Sequence, residues 1–313
     1  MKKINVNTSI GSYKIFIGNN ILYKIETILK NNNLNSNKYL IIIDKNVPKK
    51  YMRLFKTNFF KKKYISLMTF NEKNKNYSKI EKILNILQVN NFNRNDALVC
   101  LGGGIAGDLC GFAASIFKRG IKFINIPTTL LAQVDASIGG KTGYNTKFGK
   151  NLIGTFYQPS IVISDIKTLN SLTKREIICG YAEILKHALI QSKGFFNYLI
   201  KNEKKFLQFN SNNIQKAIYK SCLIKKKIIQ SDTTEKNIRK ILNFGHTFGH
   251  AYESTMNFSR KLNHGEAVLL GIISAIKLSN ELSILSKNDY NKIFAHFKKL
   301  SLPSNINKYF KTK

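Results

Sequence analysis

Hydrophobic residues follow two rhythms along this chain. Up to about residue 165 they come in short runs. Residues 3–8 and 13–17 alternate apolar with polar around Gly11-Ser12, which predicts an antiparallel hairpin. Tyr39–Asp44, Tyr64–Phe70, Asp96–Leu101, Gly120–Ile126 and Ile161–Asp165 are nearly continuous apolar runs, the form of strands buried on both faces of a parallel sheet. Segments of helical spacing alternate with them: Ile21–Leu29, Val47–Phe55, Tyr77–Val89 and Leu109–Phe117. From Ser171 onward the spacing is helical only, over Lys174–Gln191, Phe195–Phe206, Ile214–Asp232, Ile238–Met256, Glu266–Leu282 and Asp289–Leu300. Strands alternating with helices and then helices alone predict an α/β N-terminal domain over 1–168, with a Rossmann-like, mostly parallel sheet. An all-α domain over 169–313 is expected to follow, the boundary falling near 166–171.

The ends of the predicted strands carry the candidate chemistry. Asp44 closes an apolar run, at the carboxyl edge where open α/β sheets take ligands. Gly102, Gly104 and Gly107 satisfy a dinucleotide-type spacing between a strand and a helix, and Asp108 follows. Such glycines let backbone approach a pyrophosphate at the positive end of the helix. Thr128 and Thr129 end the next strand, where hydroxyls serve a nucleotide or cap the following helix. A polar, glycine-rich stretch then reads as a loop bearing Asp135, Lys141, Lys150 and Asn151, groups suited to a small anionic, hydroxylated substrate. Gly139-Gly140-Lys141-Thr142 has the ending of a P-loop, but that motif needs a glycine where Asp135 stands, so a P-loop is excluded.

Three of the five histidines fall in one stretch, Asn243 to Glu266. His246 and His250 are four apart, one turn on one face of a helix, and His264 can return to the same point from the start of a second helix. Imidazole is a common metal ligand, and a catalytic zinc takes three protein ligands. What these histidines lack is a carboxylate, which another helix has to supply. Glu183, inside the apolar Gly-Tyr-Ala-Glu-Ile-Leu and sharing a helix face with Lys186 and His187, is the best candidate to complete a Glu-His-His site with His246 and His264.

Composition changes this picture little. The 313-residue chain can bury a large core, and its net charge of +34 raises the reading of a nucleic-acid binder. The lysines are spread in short clusters, such as Lys61-Lys62-Lys63 and Lys225-Lys226-Lys227, rather than in one stripe with aromatics. With Asn and Ile also abundant, the charge reads as codon bias, and no specific nucleic-acid partner is expected. No apolar run is long enough to span a membrane, the N-terminus has no apolar signal region, and Cys100, Cys110, Cys179 and Cys222 are isolated. A cytoplasmic protein is expected.

In this order the motifs resemble the 3-dehydroquinate synthase family. They are Gly-Gly-Gly-x-x-Gly-Asp, Pro-Thr-Thr-Leu-Leu-Ala-Gln-Val-Asp, Gly-Gly-Lys-Thr-Gly, Gly-Lys-Asn-Leu-Ile-Gly, Ala-Glu-Ile-x-Lys, Leu-Asn-x-Gly-His-Thr-x-Gly-His-Ala and His-Gly-Glu-Ala-Val. The resemblance runs from the N-terminal hairpin to about Leu282. It implies an NAD- and zinc-dependent (or cobalt-dependent) lyase of the shikimate pathway, leading to chorismate and the aromatic amino acids. Its substrate would be 3-deoxy-D-arabino-heptulosonate 7-phosphate, converted to 3-dehydroquinate and phosphate. The implied reaction oxidises a metal-polarised hydroxyl, eliminates phosphate from the acidified neighbouring carbon, returns the hydride, opens the ring and recloses it by an aldol step.

The resemblance also implies roles, residue by residue. Glu183, His246 and His264 match metal ligands. His250, Lys186, Asn243, Lys141 and Asp135 match catalytic positions; His250 thereby becomes a catalytic group rather than a ligand. Asp135, Lys141, Lys150, Asn151, Lys186, Lys225, Arg239, Asn243 and His250 match substrate contacts. Arg119 matches an arginine given to a partner subunit's phosphate site, so a homodimer is expected. Asp44, Glu72, Lys75, Gly104, Ile105, Ala106, Gly107, Asp108, Thr128, Thr129, Lys141, Lys150, Thr168, Leu169, Asn170 and Ser171 match positions lining NAD. Family members carry a later Asp-Lys-Lys segment, absent before Lys313, so the helical domain is expected to be truncated. A related sugar phosphate cyclase and a decayed synthase of low activity are the neighbouring readings.

Overall fold

The structure, a computed structural model, describes residues 1–56, 60, 62–207, 211–257, 259 and 261–310. Lys61 of the lysine cluster and the last three residues of the chain lie outside the described residues. Among the described residues nine strands form: β1 (Lys2–Thr8), β2 (Gly11–Gly18), β3 (Tyr39–Asp44), β4 (Lys63–Met68), β5 (Ala97–Gly102), β6 (Lys122–Pro127), β7 (Lys141–Thr146), β8 (Gly149–Phe156) and β9 (Ile161–Asp165). Seven make one sheet in the order β1-β2-β9-β6-β5-β3-β4. Within that sheet, among the described residues, β1–β2 pairs antiparallel and every other pair is parallel, so the predicted hairpin edges an otherwise parallel sheet.

Helices α1 (Ile25–Lys30) and α2 (Lys49–Lys56) cover one face of the sheet, while α3 (Tyr77–Val89) and α4 (Gly104–Ile116) cover the other. Alternate residues of one strand feed the two layers: Ile41 and Ile43 go to the first, Leu40 and Ile42 to the second. That two-sided burial is why these strands read as unbroken apolar runs. The helical half holds α5 (Lys174–Gln191), α6 (Lys193–Lys201), α7 (Glu203–Leu207), α8 (Ser211–Ser231), α9 (His246–Thr255), α10 (His264–Glu281) and α11 (Lys287–Lys299).

Three expectations need correction. The polar stretch after β6 is no open loop: Ala132–Ala136 is a wide helical turn, and β7 and β8 form an antiparallel hairpin. The helix expected over Ile238–Met256 breaks into a 3-10 turn (Ile238–Asn243) and α9, because Gly245 between them sits at φ 79°. A side chain cannot hold that backbone cheaply. The helix expected over Phe195–Phe206 is interrupted at Asn202, between α6 and α7.

One hydrophobic cluster joins the halves. Ile4, Val6, Ile15 and Ile17 of the hairpin pack with Val134, Ile138 and the buried faces of α5, α8 and α10. The carboxyl ends of the parallel strands therefore face a helical layer held in place by apolar contact, and the site lies at that junction.

Candidate active site

Three helices meet there because glycines let them. A Cβ on Gly265 of α10 would collide with Cys179 of α5, and one on Gly271 would strike the carbonyl of Gly245. A Cβ on Gly249 would stand 3.0 Å from the carbonyl of Ala267. The helix backbones thus approach far more closely than side chains would permit. Caps fix the register: Thr173 and Glu176 close a capping box on α5, and Asn263 and Glu266 close one on α10. Arg175 donates to both oxygens of Glu266, at 2.7 and 2.6 Å, tying the two starts together.

The result is a cluster of ligand atoms. Glu183 on α5, His246 at the start of α9 and His264 at the start of α10 place one ligand atom each within 4.8 Å of one another. The ring of His246 lies 5.3 Å from those of both His250 and His264. Both Glu183 carboxylate oxygens are buried without a hydrogen bond. The Lys186 ammonium touches one oxygen as an ion pair, without hydrogen-bond geometry, and His246 Nε2 stands 3.8 Å from the other. Lys186 balances the charge of this carboxylate but leaves its oxygens without hydrogen bonds, and a cation between it and the imidazoles would fill that place. Burial, then the charges of Lys186 and His264, pushes His246 down to about 3, so at neutral pH its lone pairs carry no extra proton. These residues fit a divalent metal with one carboxylate and two imidazole ligands.

Asp135, Glu183 and His187 form a second such grouping, and His250, Glu253 and His264 a third. In the second, His187 Nδ1 meets Ser221 Oγ on α8 at 2.6 Å, its Nε2 is buried without a hydrogen bond, and burial pushes its pKa down to about 3.

Around the cluster the cations are paired. Lys225 on α8 donates to the Asp135 carboxylate at 2.5 Å and to its carbonyl at 2.7 Å. Burial alone would raise Asp135, but Lys225 and Lys186 overcome it and hold the carboxyl well below its usual range. Arg239 is buried and donates to the carbonyls of Thr233 and Gly139, while the Asp232 carboxylate accepts the backbone N–H groups of Lys236, Asn237 and Arg239 in the turn that follows it. Asp232 thus organises that turn. Lys141 and Asn243 both meet Glu235, Asn243 at 3.0 Å. Desolvation and the charges of Arg239 and Lys225 bring Lys141 down to about 8.

At the sheet edge, Gly102 brings β5 against its neighbours. A Cβ there would lie 2.7 Å from Ala106 and 3.2 Å from the Cβ of Asp44. Gly103 caps α4, so Gly104, Ile105, Ala106, Gly107 and Asp108 form its first turns. Asp44, which burial raises, accepts from the Asn46 N–H at 3.0 Å. Thr129 accepts from the Ala132 N–H at 3.2 Å, and Thr128 donates its backbone N–H to Gly102. Lys75 spans Asp108 and Asn151 at 2.5 and 2.6 Å. Lys150 lies 3.5 Å from Glu72 and 3.9 Å from Glu253. The β7–β8 hairpin therefore connects the glycine turn to the histidines. Thr168, Leu169, Asn170 and Ser171 lie in the 3-10 turn after β9, where the Thr168 hydroxyl donates to Asp165 and Leu169 joins the core. Arg119 is not brought to this cluster. It is exposed beyond the far end of α4, whose 13 residues span about 20 Å from the glycine turn.

Sequence reasoning missed Glu253 and Glu235. Glu253 stands three residues after His250 and seven after His246, a helical spacing that could have revealed it. Glu235 sits in an irregular turn with no such signal.

Fold and site together define a class: a parallel sheet with a nucleotide-type glycine turn, facing a helical half that gathers a carboxylate and imidazoles at the junction. Within that class, the chain belongs to the 3-dehydroquinate synthase family. The family described as 3-dehydroquinate synthase N-terminal matches residues 65–179, and that described as 3-dehydroquinate synthase C-terminal matches 180–313. The 3-dehydroquinate synthase of Pelagibacter ubique (strain HTCC1062) is 56% identical over 313 residues, covering 99% of this chain and 85% of the relative. That of Blochmanniella floridana is 40% identical, covering 97% and 84%. Among solved structures, 2-deoxy-scyllo-inosose synthase complexed with carbaglucose-6-phosphate, NAD+ and Co2+ superposes with a TM-score of 0.82 at 26% identity. It covers 96% of this chain and 81% of that one. No described helix is long and apolar enough to cross a membrane.

Proposed function

We propose that this chain converts 3-deoxy-D-arabino-heptulosonate 7-phosphate to 3-dehydroquinate and phosphate, using NAD and a divalent metal, zinc or cobalt. The observation that carries the reading is the buried Glu183 carboxylate, without a hydrogen bond, between His246 and His264. Glu183, His246 and His264 would hold the metal. Gly104 to Asp108, with Asp44, Glu72, Lys75, Thr128, Thr129 and the turn 168–171, would hold NAD across the glycine turn. When bound, NAD supplies a reversible hydride acceptor and the metal a Lewis acid.

The chain's own groups do the rest. Lys141, Lys150, Asn151, Lys186, Lys225, Arg239 and Asn243 bind and orient the carboxylate, hydroxyls and phosphate by charge-assisted hydrogen bonds. Lys141 and Asn243 would exchange Glu235 for substrate anion. Asp135 keeps the buried Lys225 charged. His250, at the open edge of the cluster and with its pKa lowered by partial desolvation, would take or give a proton at the reacting carbon. Arg119, remote from its own site, would serve that of a second copy, giving a homodimer. Residues 1–168 would form the nucleotide domain and 169–313 the metal and substrate domain of a cytoplasmic enzyme.

The test is phosphate release from the heptulosonate phosphate with NAD and metal, beside a chelated control. Chelator-sensitive release, with dehydroquinate formed and no net NADH, supports the reading. No release from protein that still binds NAD and metal overturns this substrate and favours another sugar phosphate.

A further inference from the structure

Glu253 belongs to none of the roles above, yet it is buried in the middle of them. It lies on α9 on the face of His246 and His250, and only 7% of its surface is exposed. One carboxylate oxygen meets His264 Nδ1 at 3.4 Å. The other stands 3.9 Å from the Lys150 ammonium of β8. The His264 ring is thereby held by one nitrogen from outside the cluster, which leaves Nε2 as its other donor atom.

We propose that Glu253 is a positioning residue. It fixes the tautomer and the ring plane of His264 for the metal, and through its second oxygen holds the β7–β8 hairpin against the metal site. A carboxylate on the outer nitrogen of a ligating imidazole orients the ring and raises its basicity, and removing such a partner lowers metal affinity ten- to a hundred-fold. The proposal rests on the metal reading above. It competes with a direct ligand role, since His250, Glu253 and His264 also lie within reach of one ion.

Cobalt distinguishes these roles, because its visible absorption reports the ligand set. Glu253→Gln keeps the shape and loses the charge. The expected result is Co2+ affinity weakened about ten- to a hundred-fold by competitive titration, with band positions and intensity of the saturated protein retained. The apo-protein Tm and NAD affinity should stay near those of the parent. Glu253→Asp, shorter by one methylene, should fall between the two and carries the test if the Gln variant does not fold. Unchanged Co2+ affinity overturns the proposal, as does a saturated spectrum altered in the manner of a lost ligand. Glu183→Gln is the control: if it too binds Co2+ with unchanged affinity and spectrum, the metal reading itself fails, independently of Glu253.

Discussion

The sheet edge and the helical junction bring polar chemistry to a buried place by different means. At the sheet edge the working surface is mostly backbone: a glycine turn, the open N–H groups of α4, and one acid at the end of β3. Its neighbours are apolar strands buried on both faces, so position comes from strand register. At the junction the working surface is side chains, and each buried charge has a partner: Glu183 with Lys186, Asp135 with Lys225. The first region leaves little room for added atoms at Gly102, and the second pairs its buried charges.

That difference sets a ranking of effects. The largest belongs to His246→Ala, which should remove bound metal and activity together; full metal occupancy by elemental analysis would sink the ligand assignment. Next is Asp135→Asn, which strands a buried lysine and should cost about 3 kcal/mol in chemical denaturation. Adding Lys225→Met should restore most of that stability though no activity. A double variant as unstable as the single would show that the pair is not what matters. Third is Gly102→Ala, expected to cost about 1–3 kcal/mol by overpacking against Ala106 and Asp44 and to weaken NAD binding. Unchanged NAD affinity would remove the close approach from the cofactor site. The smallest effect is one of pH. Lys141 titrates near 8 in the free protein, so its cation is present below that pH and lost above it. Accordingly kcat/KM should fall as pH rises past about 8, with kcat less affected, and Lys141→Arg should flatten the fall. An unchanged profile in that variant would assign the fall to another group.

The same contrast explains what could be read in advance. Strands such as Tyr39–Asp44 and Ile161–Asp165 were legible to the residue, since burial on both faces writes an uninterrupted apolar run. Helix Lys174–Gln191 was equally legible, because its capping box and spacing agree. The β7–β8 hairpin was not, because β8 has little buried surface and so no alternation: Leu152 and Ile153 are adjacent and both exposed. The break at Gly245 was hidden inside a sequence of good helical spacing. It follows from the need to pass α9 over α10, a long-range contact with Ile272 and Val268 that no local window contains.

The sequence by itself determined the change from alternating strands and helices to helices alone, the strands buried on both faces, and the identities of the acid and the two histidines that gather. Burial pattern and residue chemistry are local, and Glu183 within an apolar run announces a buried partner wherever it ends up. Tertiary structure decided which other groups meet around them. Glu253 reaches His264, Glu235 takes Lys141 and Asn243, and Lys75 joins Asp108 to Asn151. Those contacts depend on three helices and a hairpin converging within hydrogen-bond distance. That convergence is set by glycine-permitted close packing and a shared apolar core, and residue spacing along the chain does not encode it.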